Sequence, residues 1–284
     1  MPTFTTPHPI TAVVDISGVQ LTVRAGDHPE TTVDLRPHHP GRAGDVDLAQ
    51  RTTVELADGR LHVRLPRNAR SRLRSLIGGG ARVDLDIVLP AGSSLDFRGA
   101  GDLTVVGRLD RVDIDTGMGD IDLDIVGGRL RARTSLGDIR VGSSSGPVEL
   151  RTSAGTVEVG RAGGDVTAST SAGDVRVDES EGEVRVSTSA GDIRVERAAT
   201  TVSAKTSAGD IRLHSVCSGT ISAETTYGRV EIGVAEGTAV WLDVEARHGV
   251  VRSDLAGAEG PGDAHHTAEI RATTGYGDIL LRRA

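Results

Sequence analysis

Short apolar–polar–apolar segments, each opened by a glycine, recur every nine residues through the middle of the chain. Gly164, Gly173, Gly182 and Gly191 each begin such a segment, as in Gly-Asp-Val-Arg-Val at 173–177. Alternation of β-branched and polar residues is typical of a strand, and the i, i+3, i+4, i+7 spacing of an amphipathic helix does not occur here. Each set of nine residues therefore predicts one strand and one turn.

A stronger repeat of eighteen residues contains two of these segments. Thr-Ser-Ala-Gly-Asp, followed by Val or Ile, Arg and an aliphatic residue, stands at 170–177, 188–195 and 206–213. Ten glycines mark the period, spaced by 18 residues six times and then by 19, 21 and 28: Gly101, Gly119, Gly137, Gly155, Gly173, Gly191, Gly209, Gly228, Gly249 and Gly277. Such a unit cannot bury a core alone, but stacked copies can. We therefore predict an all-β fold, a parallel two-sheet β-solenoid (β-helix-like) with 18-residue coils about 4.8 Å apart.

Parity along the strands assigns the side chains that face the core. One sheet is predicted to point inward with aliphatic pairs that include Ile139/Val141, Val175/Val177 and Ile193/Val195. The opposing sheet is predicted to do so with pairs that include Val148/Leu150, Val166/Ala168 and Val184/Val186. A column of threonines is expected to point inward or toward the corner and to bond the turn backbone: Thr116, Thr134, Thr152, Thr170, Thr188 and Thr206.

Three segments follow from where the period begins and ends. Residues 93–234 are predicted to form the solenoid repeats. Residues 1–92 lack the period but contain six strand-like runs, and links such as Ser17-Gly18 and Asp58-Gly59 suggest hairpins, so we predict an N-terminal antiparallel β-domain that caps the first coil. Residues 235–284 are predicted to form irregular last coils and a C-terminal cap, because they contain Trp241 and Tyr276.

Composition and charge limit the function classes. Phe, Trp and Tyr make up 2% of the 284 residues, so the core must be aliphatic, and a net charge of −8 disfavours general nucleic-acid binding. No apolar run is long enough for a transmembrane helix. The start, Met1-Pro2-Thr3-Phe4, shows no signal peptide, which predicts a cytoplasmic protein. The single cysteine, Cys217, excludes an intramolecular disulfide framework.

An aspartate column is the first candidate for chemistry: Asp102, Asp120, Asp138, Asp174, Asp192, Asp210 and Asp278. Carboxylates stacked this closely could form a calcium ladder, but the sixth position of each nine-residue unit varies, unlike in calcium-binding nonapeptide repeats. An arginine follows two residues after several of them, as Arg176 follows Asp174. We therefore favour a solvated ladder of alternating charges and predict no metal site.

Other motifs have simpler structural interpretations. Gly142-Ser143-Ser144-Ser145-Gly146 matches Gly-x-Ser-x-Gly but lies between two predicted strands, without the helix that a nucleophile elbow needs. The pairs His38-His39 and His265-His266 are expected to be exposed loop residues. Cys217 lacks flanking charge and is expected to be structural. The sequence thus predicts no catalytic residue and no cofactor site.

An arginine-rich stretch could contact an anionic partner. Arg67, Arg70, Arg72, Arg74 and Arg82 surround apolar residues and three glycines. An anionic membrane surface or a nucleic acid would suit this basic stretch. The alternative is a long hairpin loop with solvated charges.

The repeats resemble a bacterial β-strand-repeat family labelled "putative adhesin", a domain of unknown function. The Thr-Ser-Ala-Gly-Asp-Ile-Arg-Val repeats, the opening Met1–Ile10 and the close Thr274–Ala284 carry the resemblance over nearly the whole chain. It implies a β-helix-like fold and gives no catalytic residues to transfer.

The regular charged faces and the lack of a site-like constellation predict a non-enzymatic protein-interaction or scaffolding module with an unidentified protein partner. One alternative is a self-assembling structural protein, as filament or homo-oligomer, which two end caps would oppose. Another is an adhesin-like protein that binds carbohydrate or another surface. Carbohydrate sites usually need aromatic platforms, and the repeats contain only Tyr227.

Overall fold

Parallel strands stacked coil on coil account for most of the regular structure. The computed structural model describes residues 2–65, 80–255 and 264–284. Within them the chain forms two compact units, unit 1 (Met1–Asp138) and unit 2 (Ile139–Ala284), each built from two mostly parallel sheets. The predicted all-β solenoid is confirmed.

Unit 1 contains one helix and twelve strands among its described residues: β1 (Thr3–Thr5), β2 (Thr11–Ser17), β3 (Val19–Gly26), β4 (Glu30–Pro37), α1 (Ala43–Arg51), β5 (Thr53–Ala57), β6 (Arg60–Arg64), β7 (Val83–Pro90), β8 (Ser94–Ala100), β9 (Leu103–Leu109), β10 (Val112–Thr116), β11 (Ile121–Val126) and β12 (Leu130–Arg133). One sheet has the order β1-β4-β7-β3-β9-β11, and the other has the order β12-β10-β8-β2-β6-β5.

The N-terminal strands are antiparallel only at the outer positions. The pairs β1–β4, β4–β7 and β5–β6 are antiparallel, and the last is the hairpin predicted at Asp58-Gly59. In contrast, β2 pairs in parallel with β8, and β3 pairs in parallel with β9. The hairpin predicted at Ser17-Gly18 is wrong because β2 and β3 lie in different sheets. The chain turns a solenoid corner there instead, at Gly18, with φ +78°.

Helix α1 was not predicted from the sequence, and it packs against β4 and β7. Its nine residues are too few to cross a bilayer, and the described ranges contain no helix that is long and apolar enough to do so. Two residues of the helix itself, Asp45 and Leu48, are buried. The Asp45 carboxylate accepts hydrogen bonds from the backbone N–H groups of Arg82 and His39, each at 3.0 Å. These bonds, led by the one from Arg82, hold the Asp45 pKa below its ordinary value despite burial.

Unit 2 contains fifteen strands among its described residues: β13 (Ile139–Ser144), β14 (Val148–Arg151), β15 (Val157–Ala162), β16 (Val166–Ser169), β17 (Val175–Ser180), β18 (Val184–Ser187), β19 (Ile193–Ala198), β20 (Val202–Ala208), β21 (Ile211–Val216), β22 (Gly219–Tyr227), β23 (Val230–Val234), β24 (Thr238–His248), β25 (Val251–Ser253), β26 (His266–Tyr276) and β27 (Ile279–Arg283). Register between successive coils is 18 residues, as in Val157↔Val175 and Val166↔Val184.

The last two coils of unit 2 are stacked out of chain order. β26 and β27 pair directly with β22 and β23 and so continue the repeat. β24 and β25, which come earlier in the chain, lie outside them at the ends of the two sheets. The final chain segment is therefore inserted between coils that are consecutive in sequence.

Alternate side chains of both sheets form the aliphatic core, as parity predicts. Val175, Val184 and Ile193 have no solvent exposure, and the predicted threonine column is also buried. Each threonine hydroxyl donates to corner backbone, for example Thr188 Oγ1 to the Gly173 carbonyl at 3.0 Å. Gly173 has φ +142°, and a Cβ there would lie 2.1 Å from the Gly155 carbonyl oxygen. The repeated glycine is therefore required by both backbone conformation and close coil stacking.

Candidate interaction surfaces

The aspartate column forms part of the corner structure. Asp174 Oδ1 accepts the backbone N–H of Asp192 at 2.9 Å, and Asp192 Oδ1 accepts that of Asp210 at 2.8 Å. The second carboxylate oxygens face arginines, as in Asp210 Oδ2 to Arg212 Nη2 at 2.6 Å. Each carboxylate thus joins one coil to the next and also neutralises a neighbouring cation. These contacts support the charge-ladder interpretation over a calcium ladder.

The outer face of one sheet carries a second set of alternating charges. Glu179 lies between Arg161 and Arg197, with N–O distances of 2.9 Å to each. The hydrogen bond from Arg161, followed by the charge of Arg197, lowers the Glu179 pKa. In the described parts of the chain no three His, Cys, Asp or Glu side chains come together as a metal site would require. This face is a solvated ion-pair network.

The serine motif spans the end of β13 and the turn that follows it, and Cys217 comes directly after β21. Ser144 is buried, and its Oγ donates to the Gly146 carbonyl at 3.1 Å, a bond that Ser180 repeats with Gly182. Cys217 is partly buried, and its carbonyl accepts the Thr238 hydroxyl at 2.9 Å. Both placements agree with the structural interpretation of these motifs.

The histidine pairs differ from one another. His265 and His266 are exposed, as predicted. His38 is less exposed than predicted, with 30% of its side chain accessible, and its Nδ1 lies 2.8 Å from Asp84 Oδ1.

Most of the predicted arginine patch lies outside the described residues. This applies to Arg67, Arg70, Arg72 and Arg74, so their contact with an anionic partner stays a prediction. Arg82 is exposed and lines a shallow cleft of about 170 Å³ together with His38, Asp102 and Met118. Since this cleft presents both signs of charge and an apolar side chain, it does not select one class of ligand.

Three stacked rings form an aromatic ladder, defined here as Tyr227, Tyr276 and His248. The Tyr227 and Tyr276 ring centroids are 5.1 Å apart with planes inclined by 7°, and His248 stacks on Tyr276 at 4.5 Å and 18°. Tyr227 and Tyr276 are 58% and 51% exposed. The three residues share one corner position because β22, β26 and β24 place them in register.

The same corner position is small in the four coils of unit 2 that precede the ladder, whereas in unit 1 it holds the exposed Met118 and Leu136. In unit 2 it is occupied by Ala154, Ala172, Ala190 and Ala208, and Ala208 pairs in register with Tyr227. The last three of these alanines are exposed. On this side the Tyr227 ring therefore faces a methyl group and open space, whereas its other side faces Tyr276.

The outer strand β24 is the second conspicuous surface of unit 2. It pairs only with β26, so the other edge of its eleven residues has no strand beside it in the described structure. Its inward side chains Val240, Leu242 and Val244 are only half-buried, whereas Ile270 beside Leu242 has no exposure. In β25, Val251 is 40% exposed. The aliphatic core of unit 2 is thus partly open at this edge.

The outer strands of unit 1, among its described residues, differ from β24. Its outer strands β1 and β5 have three and five residues and are antiparallel to their neighbours. Short outer strands are one way in which proteins prevent unwanted strand pairing. The long parallel edge of β24 lacks this protection.

Large aromatic side chains are concentrated outside the core of unit 2. The chain has five Phe, Trp and Tyr residues, and three of them, Trp241, Tyr227 and Tyr276, are more than half exposed. Trp241 and Tyr276, which lie in the predicted C-terminal cap at 235–284, therefore keep more than half of their surface exposed, and the cap itself stays a prediction. The Thr-x-Tyr-Gly pattern shared by 225–228 and 274–277 is the sequence signal that marks the two tyrosines as equivalent.

The family model described as Toastrack DUF4097 matches residues 14–282. Two solved structures are similar over 99% of this chain, each at 10% identity: one described as a "putative adhesin" from Bacteroides fragilis (95% of that chain, TM-score 0.38) and one described as a "putative cell adhesion protein" from Clostridium sporogenes (94%, TM-score 0.20). No curated protein matches the chain. At these TM-scores the family assignment depends on the family model alone.

Proposed function

We propose that this chain, which belongs to the Toastrack DUF4097 family, is a non-enzymatic interaction module. In this proposal it binds a second copy of itself through the free edge of β24. The single observation that supports this most is the eleven-residue outer strand with half-buried Val240, Leu242 and Val244. Free strand edges pair readily with other strands. A partner strand would complete the hydrogen bonding and cover the open part of the core.

A second copy suits this edge because of its charges. The outward side chains of β24 include Asp243, Glu245 and Arg247. In an antiparallel pair of β24 strands centred on Glu245, Asp243 of each copy lies opposite Arg247 of the other. The two central Glu245 carboxylates face each other in this pairing, and each has Arg247 of its own chain nearby to offset the repulsion, with Nε and Oε1 3.7 Å apart. One two-fold pairing therefore places opposite charges together twice, as an isologous interface requires.

A closed dimer is a better match than a filament. A filament grows only if each copy has two edges that can each pair with another copy. The described outer strands of unit 1 are short and antiparallel, and α1 packs against β4 and β7. Association at β24 therefore stops at two copies. Within this proposal the protein acts in the cytoplasm, where its partly buried free Cys217 stays reduced.

Sedimentation velocity over concentrations from about 1 μM to about 1 mM tests the dimer. We expect a concentration-dependent monomer–dimer equilibrium. Arg247→Asp and Asp243→Arg should each remain monomeric where the wild type is half dimer, because each homodimer then opposes like charges. An equimolar mixture of the two variants should dimerise again. Arg185→Asp, in the middle of unit 2, is the matched charge reversal that should leave the equilibrium unchanged.

Two results would refute the proposal: a wild-type monomer throughout the range, or single variants that fail to complement each other when mixed. Species larger than a dimer that grow with concentration would favour the filament alternative. Thermal unfolding of each variant shows whether it is folded, so that lost association is not attributed to an unfolded chain.

A further inference from the structure

The aromatic ladder is more exposed than a role in stacking requires. Ring–ring contact accounts for the near-parallel planes of Tyr227 and Tyr276, but both rings keep more than half of their surface in solvent. Four coils of the same unit form the same corner with alanine. The fold therefore does not need an aromatic residue at this position, and the exposed rings call for another explanation.

The open side of Tyr227 forms a step, defined here by the Tyr227 ring as its wall and Ala208 as its floor. Ala208 lies one coil away, about 4.8 Å along the stack, and Ala190 follows it in register. Neither side chain extends beyond a methyl group, so a flat group placed on Ala208 would lie parallel to the Tyr227 ring. The spacing of one coil is close to the thickness of a stacked ring, and such a group would occupy the next rung of the ladder.

Polar groups of both kinds border this step. The exposed hydroxyls of Ser189 and Ser207 lie on one side, one residue before the alanines. The partly exposed Asp210 carboxylate and Arg212 guanidinium lie on the other, two and four residues after Ala208. Donors and acceptors therefore surround an apolar wall and floor.

We propose that this step binds one hexopyranose ring of a neutral glycan, with Tyr227 as the stacking platform. A pyranose has an apolar face of C–H bonds, which carry partial positive charge and stack on the negative face of an aromatic ring. Its rim carries hydroxyl groups that both donate and accept hydrogen bonds. The platform and its borders match these two properties. A neutral sugar is favoured because the two carboxylates of Asp192 and Asp210 outnumber the one guanidinium, Arg212, that they share, and the chain carries a net charge of −8.

Saturation-transfer difference NMR tests the site with five neutral hexasaccharides as probes: cellohexaose, laminarihexaose, maltohexaose, mannohexaose and chitohexaose. We expect at least one to bind with a Kd of about 10 mM or tighter, with the strongest transfer to the C–H groups of one ring face. An oligogalacturonate of equal length should bind at least about tenfold more weakly, because carboxylates face this side of the corner.

The variants are chosen so that the ring itself is tested. Removing one tyrosine alone would expose the face of the next, so the double variant Tyr227→Ala/Tyr276→Ala is used, and binding should fall at least about tenfold. Tyr227→Phe/Tyr276→Phe keeps both faces and should retain binding. Trp241→Ala removes a similarly exposed ring that lies in β24 outside the aromatic ladder, and it is the matched control.

A second variant tests the same site without changing the tyrosines, so the test does not depend on the folding of the double alanine variant. Ala208→Glu leaves the tyrosines in place and puts a charged side chain on the floor of the step, and it too should abolish binding. Absence of binding by all five probes, or binding that survives both Ala208→Glu and the double alanine variant, would overturn the proposal. The monomeric Arg247→Asp variant should bind the same sugar as the wild type, so this site and the dimer edge can fail independently.

Discussion

Replacing Asp192 tests whether carboxylates hold adjacent coils together. Asp192→Ala removes the acceptor of the Asp210 N–H bond at 2.8 Å and the contact with Arg212 Nη1 at 3.2 Å. A hydrogen bond to a charged group contributes about 1.5–3 kcal/mol, and the 45% exposure of this side chain places it near the lower end. The exposed ion pair adds about 0.5 kcal/mol. We expect the alanine variant to lose about 2 kcal/mol of unfolding free energy.

Asp192→Asn separates the two contributions. The amide keeps an oxygen that can accept the Asp210 N–H and loses only the charge, so the expected cost is about 0.5–1 kcal/mol. Urea unfolding followed by far-UV circular dichroism measures both variants. Asp178→Ala is the control, because Asp178 is exposed and has no hydrogen bond or ion pair among the described residues. Equal losses for asparagine and alanine, or a loss for alanine no larger than that of the control, would refute the role of the Asp192 carboxylate.

Three further predictions concern the core, the repeat and the buried carboxylate. Val184→Asp should abolish cooperative unfolding because it buries an unpaired carboxylate, whereas Arg185→Ser on the outward side should cost under about 1 kcal/mol of unfolding free energy. Equal thermal unfolding of the two variants by circular dichroism would contradict the assignment of inward and outward side chains. Deletion of 174–191 removes one coil and should leave a less stable protein that still unfolds cooperatively. A ten-residue deletion of 174–183 exchanges the inward and outward side chains after the junction and should be less stable still. The midpoint urea concentrations of unfolding compare the two. The folded-state pKa of Asp45 is depressed, so its stabilisation is present above its unfolded pKa of about 3.9 and is lost as pH falls through the folded value. Asp45→Asn should therefore be less stable at neutral pH and less sensitive to acid, in unfolding measured from about pH 3 to 7. The control is Asp47→Asn, whose partly exposed carboxylate pairs with the exposed Arg51 and not with buried backbone.

The core and the corners could be predicted from the sequence because a strict period leaves little freedom. Once Gly173 and Gly191 are taken as equivalent, the alternation in each strand decides which side chains face inward, and one residue of error would bury arginines. The hydroxyl bonds of the threonine column follow from the same parity. Each prediction depends only on neighbouring residues and on the contact of a coil with its copies.

The ends could not be predicted because their pairing is not local in sequence. The spacing of 28 residues between Gly249 and Gly277 is a sign of irregularity, but it does not reveal that β26 lies inside β24. The period places Tyr227, His248 and Tyr276 at the same corner, but without that order nothing predicts that Tyr276 stacks between the other two rings. Helix α1 was missed for another reason: its short sequence contains too few apolar residues to show helical spacing, since it buries mainly Leu48.

Internal repeats provide a control for what the fold itself requires. Coils with the same corner glycine and the same threonine bond differ at the residue before that glycine, which is Met118 or Leu136 in unit 1, alanine at 154, 172, 190 and 208 in unit 2, and tyrosine at 227 and 276. Because the alanine coils show that the corner closes without a ring, the two tyrosines cannot be explained by backbone geometry or core packing. The same reasoning applies to β24, whose inward aliphatic residues follow the pattern of a covered coil although no coil covers them in the described structure. Both departures from the repeat's requirements lie in the last coils of unit 2, which is where binding is expected.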